Sequence, residues 1–111
     1  MENDYNKLLK RTKKVLVRLK RKLNPGVEVL INKVRFDYYG FAIMIGPQRY
    51  KVYYFPGDQT WVFRGCVFKN MADLVTIFNR YVEGKPVLYS IIEYDGVSYI
   101  DSIKPYTGVK P

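Results

Sequence analysis

The chain has 111 residues, 48% of them hydrophobic and 16% aromatic, with 19 Lys and Arg against 10 Asp and Glu for a net charge of +9. That length and composition suit one domain with a buried core, and no apolar run approaches the ~20 residues a helical membrane span needs. The single cysteine, Cys66, excludes an internal disulfide; with no apolar leader at the N-terminus, it points to an intracellular protein, cytoplasmic or nuclear.

The charge is concentrated at the start. Residues 1–23 hold nine bases against Glu2 and Asp4, whereas residues 24–111 hold ten bases and eight acids. The periodicity predicts a basic first helix over 1–24, capped by Asn3 or Asp4. Its apolar stripe is Tyr5, Leu8, Leu9, Leu16, Leu19 and Leu23, with Thr12 filling the gap, and Asn24-Pro25-Gly26 stops it. Residues 27–64 read as antiparallel strands. In Val27–Phe36, Lys33 and Arg35 share the alternation class of Val27, Val29 and Ile31, which requires either a bulge or a face running from core into solvent. Phe41–Ile45, Tyr50–Phe55 and Thr60–Arg64 follow as a meander, separated by Gly46-Pro47-Gln48 and Pro56-Gly57-Asp58. A second helix is predicted over 70–83, with Asn70 as its cap, Met71, Leu74, Val75, Phe78 and Val82 on its apolar face, and Gly84 and Pro86 closing it. Residues 87–103 read as a hairpin turning at Asp95-Gly96, before a loose tail over 105–111. The class is therefore α+β, a central antiparallel sheet flanked by two helices with an extra C-terminal hairpin.

Nothing in this chain assembles a catalytic apparatus. Without histidine the commonest general base and metal ligand is missing, and Cys66 lacks the partner that would activate it. The carboxylates are dispersed, Asp95 is explained by its turn, and Gly40, Gly46, Gly57 and Gly65 stand singly, with no phosphate-cradling loop. No enzyme, cofactor or metal is expected. The basic helix suits phosphate backbones, DNA or RNA, where each neutralised phosphate releases counterions; a solvated face over a leucine stripe is the plainer reading. A membrane surface ranks lower, since the stripe serves the core and carries no Trp or Phe. Tyr50, Tyr53, Tyr54 and Trp61 suit base stacking, or simply pack on both faces of a sheet.

The middle of the chain resembles a Src-homology 2 (SH2) domain. Arg49-Tyr50-Lys51-Val52 stands where that family has a His-Tyr-Lys-Ile-like strand, and Phe68, Met71, Leu74, Val75, Phe78 and Gly84 match its second-helix pattern without gaps. Arg64-Gly65-Cys66-Val67-Phe68 and the Leu8–Lys14 stretch are similar to a divergent branch, the tandem SH2 domains of a transcription elongation factor and histone chaperone. The family's buried phosphate-binding Arg has no counterpart, for Val29-Leu30-Ile31-Asn32 occupies that strand. The resemblance thus implies a shallower anion site formed by Arg49, Lys51, Lys33, Arg35, Lys10 and Arg11, with Tyr50 on the peptide side. Such point charges suit an acidic or phosphorylated protein segment. The first expectation is accordingly a non-enzymatic binding module for such a segment. A nucleic-acid-binding protein using the basic helix is the alternative, and a small inhibitor or assembly protein docking an acidic partner the third.

Overall fold

The computed structural model describes residues 3–105, so the part of the expected loose tail from 106 onward lies outside the described residues. Nine elements follow one another there: α1 (Asp4–Lys22), β1 (Val27–Val34), β2 (Tyr39–Ile45), β3 (Gln48–Phe55), β4 (Thr60–Phe63), β5 (Cys66–Phe68), α2 (Met71–Val82), β6 (Val87–Tyr94) and β7 (Val97–Pro105). The seven strands make one sheet in the order β1-β2-β3-β4-β5-β7-β6, antiparallel except where β5 runs parallel to β7 through Cys66–Ser98 and Val67–Tyr99. The α+β class and the C-terminal hairpin are as the sequence predicts.

Each helix starts and stops for a local reason. Asn3 caps α1, its side-chain oxygen accepting the Asn6 N–H at 2.8 Å, and Asn70 does the same for Asp73 at 2.9 Å at the head of α2. Gly84, at φ 70°, ends α2 in the left-handed region: its N–H donates to the Tyr81 carbonyl, and the Lys85 N–H to that of Arg80. That paired closure satisfies two of the orphan carbonyls. In α1 the buried stripe is Thr12, Val15 and Leu19 rather than one that includes Tyr5, which is exposed. Thr12 tolerates full burial because its hydroxyl donates to the Leu8 carbonyl at 2.7 Å.

Strand registers decide which side chains face the helices. Val29, Ile43, Phe41, Val52, Trp61, Phe63, Phe68 and Ile100 share one face and join the buried side chains of both helices in a single core. Both helices therefore lie on the same side of the sheet, which is not held between them as in an SH2-like sandwich. On the opposite face β2 offers Gly40, Ala42 and Met44, and Glu28, Lys33, Arg49 and Lys51 stand around them on β1 and β3, a row too charged for a helix to cover. Asn79 of α2 locks the two helices together, accepting the Asn24 N–H at 2.7 Å and donating to the Lys22 carbonyl at 3.1 Å.

The strand reading needs two amendments. The difficulty in β1 resolves as a bulge: the register slips between Ile31 and Lys33, so Lys33 pairs beside Gly40 on the open face while Val34 returns to the helix side. Strand β5 is not foreseen, because three residues are too few to show alternation. It is made by a turn at Arg64-Gly65, both at positive φ (52° and 75°), and by pairing on both its edges.

Candidate anion-binding surfaces

The predicted anion-site residues fall into separate groups. Arg49 and Lys51 alternate onto the open face of β3, opposite Met44 and Ala42, and Lys33 joins them across β2, where Gly40 and Ala42 are the small residues between. The bulge at Asn32 makes this grouping, and the Arg49 guanidinium reaches the Asn32 side-chain oxygen at 3.5 Å. Tyr53 stands in the same row as Gly40 and Lys33, and its ring meets Tyr38 edge-on with centroids 5.8 Å apart. A cationic patch with aromatic neighbours thus covers the β1–β3 end of the open face. Arg35 lies past the end of β1, in the turn closed by its own N–H to the Tyr38 carbonyl.

Lys10 and Arg11 belong to α1, across the sheet and core from Arg49, so these cations do not converge on one hollow. Tyr50 also faces the helix side. Its ring packs on Phe78, Tyr81 and Phe63 at 5.5, 5.6 and 6.0 Å, and the Arg64 guanidinium lies 5.6 Å from its centroid. Half-buried and so enclosed, Tyr50 is a packing residue. Burial pushes the neighbouring Tyr81 hydroxyl above the usual tyrosine range, a shift that the Arg64 charge partly opposes. Of the aromatics considered for stacking, Tyr54 and Trp61 likewise turn inward, and only Tyr53 looks out onto the open face.

The second surface is the outer side of α1. Nine bases occupy a helix whose only acid is Asp4, and all nine are exposed. Nineteen residues make a ridge about 28 Å long. Lys7, Lys14 and Arg21 follow at seven-residue intervals opposite the buried Thr12, Val15 and Leu19, flanked by Arg11, Lys13 and Arg18. Among the described residues Lys85 pairs with Glu83 at 2.9 Å, but no carboxylate pairs in this way with Lys13, Lys14, Arg18 or Arg21. Several bases lie four residues apart: Lys7 and Arg11, Lys10 and Lys14, Lys14 and Arg18, Arg18 and Lys22. Such like-charge neighbours repel by roughly 0.2–0.5 kcal/mol each, so the ridge is held against an opposing local term.

Lys14→Glu exchanges two of these repulsions for attractions. It should raise the stability of the free protein by roughly 0.8–2 kcal/mol, read as a higher urea midpoint at low salt that converges on wild type at high salt. The wider ridge, including Lys13, Arg18 and Arg21, is signalled by the charge count of the first segment, whereas the anion site expected from the sequence takes only Lys10 and Arg11 from it.

No protein-family model, curated protein or solved structure matches this chain.

Proposed function

We propose that the protein is a non-enzymatic binding module for a nucleic-acid backbone, engaged by the outer face of α1. The observation that carries this reading is the ridge itself: exposed bases run the length of a rigid helix, opposite the stripe that anchors it, and repel one another in the free protein. A single phosphorylated side chain needs a few converging donors, whereas a ridge of about 28 Å suits a polymer of evenly spaced phosphates. A helix of this diameter also fits the major groove, where backbone contacts give affinity without reading sequence.

The test is a fluorescence titration of duplex DNA or RNA at two salt concentrations. If about five phosphates are neutralised, the log–log slope is about −4.5, and affinity falls by a factor of about 500 between ~50 and ~200 mM salt. Binding that is absent at low salt, or insensitive to salt, rejects the proposal.

A second reading is favoured by the grouping of Arg49, Lys51 and Lys33 on the open face. There an acidic or phosphorylated protein segment would lie across β1–β3, between the point charges and Tyr53. A phosphopeptide titration with Arg49→Glu separates the two readings, because it removes a charge from this patch and none from α1.

A further inference from the structure

We infer that the protein pairs with a second copy of itself through β6, the two strands running antiparallel across a twofold axis near Ser90. The two ends of the sheet differ in a way that the fold of one copy does not require. At one end β1 carries Glu28 and Lys33, is bent by the bulge at Asn32, and has α1 packed against it. Those are the usual means by which an edge strand is kept from pairing with another chain. At the other end β6 is, among the described residues, bonded on one side only, to β7. It runs for eight residues without Lys, Arg or Pro, its one charge being Glu93, so a row of backbone N–H and C=O groups faces outward.

The same segment holds most of the exposed apolar surface. Of ten large apolar side chains exposed among the described residues, six lie at the hairpin: Leu88, Tyr89, Ile91, Ile92, Tyr94 and Val97, between 39% and 73% exposed. Together they present on the order of 500 Å² of exposed side chain over the two faces of one edge strand, towards the upper end of the roughly 300–600 Å² of a typical monomer's largest apolar patch. With the outer backbone row added, this approaches the ~800 Å² per partner of a standard interface.

The occupant is a second copy because the strand complements itself. Tyr89 and Ile91 point to the helix side, paired with Ile103 and Ile100, while Leu88 and Ile92 point to the open face. An antiparallel register centred on Ser90 sets Tyr89 against Ile91 of the second copy and Leu88 against Ile92 of the second copy, apolar on apolar on both faces. A perpendicular twofold makes these contacts reciprocal and closes the assembly at two. Charge does not oppose it. Helix α1 makes its strand contacts chiefly with β1, at the opposite end of the sheet from β6, and exposed charges farther apart than the ~8–10 Å screening length are largely screened. Nearer the edge the acids Glu93, Asp95 and Asp101 dilute the positive field.

Sedimentation velocity of the full chain across micromolar concentrations tests the pairing. The wild type should pass from one copy to two. Ile92→Lys should raise the dissociation constant by at least about tenfold, and Leu88→Lys should do the same. Val17→Lys, which replaces an exposed apolar residue of α1, should not. Amide exchange in 87–94 should slow as concentration rises. Circular dichroism identifies any variant that fails to fold, and the other lysine variant then decides. A wild type that stays single, forms open-ended chains, or pairs undisturbed by a folded Ile92→Lys or Leu88→Lys overturns the inference. So does pairing with unchanged exchange in β6.

Discussion

Replacing Lys7, Lys14 and Arg21 with glutamate is expected to weaken duplex binding by at least about a hundredfold at ~100 mM salt, with no loss of fold. The three side chains lie on the outward line of α1, opposite Thr12, Val15 and Leu19, and none belongs to the core. Every phosphate that is no longer neutralised keeps its counterion, so the salt slope should shrink by about 2.7 for three phosphates. Folding should be spared because the new carboxylates fall among Lys10, Arg11 and Arg18 and convert repulsive pairs into attractive ones. That gain is partly offset at Arg21, which sits in the last turn, where a cation suits the helix dipole. A control on the far side of the sheet, Arg49→Glu with Lys51→Glu, changes the charge by four against six for the α1 variant and should leave the salt slope intact. If the control abolishes binding while the α1 variant does not, the open face is the site and the acidic-segment reading takes its place.

The largest effect on stability should come from Phe78→Ala, at about 4 kcal/mol. Phe78 is fully buried at the junction of α2 with β3 and β4, its ring centroid 4.9 Å from Phe63, 5.5 Å from Tyr50 and 5.7 Å from Tyr81. Truncation leaves three aromatic rings facing a void that a rigid helix and a paired sheet cannot close. Since a domain of this size is stable by roughly 5–15 kcal/mol, the loss is a large share of the total and should lower the urea midpoint by about 2–3 M. The single tryptophan is a suitable reporter, because Trp61 is buried against Tyr54 and Phe41 and gains water only on unfolding. A midpoint shift below about 1 M would mean that this cluster is not the keystone of the core.

Much of the local structure was legible in the residues. Asn70 and Gly84 announced both ends of α2, and Asp95-Gly96 announced its turn, because capping and left-handed φ are demands that few residue types meet. The bulge in β1 was visible as a conflict, with Lys33 in the wrong alternation class. Strand β5 was not visible: its three residues are held by β4 and β7, and the β7 partner comes some thirty residues later in the chain.

For the candidate surfaces, the chain alone determined the charge imbalance of its first segment and the alternation that sets Arg49 and Lys51 on one face and Tyr50 on the other. Those depend on spacing within one element, which repeats of 3.6 and 2 fix locally. Only the tertiary structure decided that both helices share one side of the sheet, that Lys10 and Arg11 are separated from Arg49 by the core, and that among the described residues β6 ends the sheet with one edge unpaired. These are relations between elements distant in sequence, set by which apolar faces find each other, and no single segment's pattern contains them.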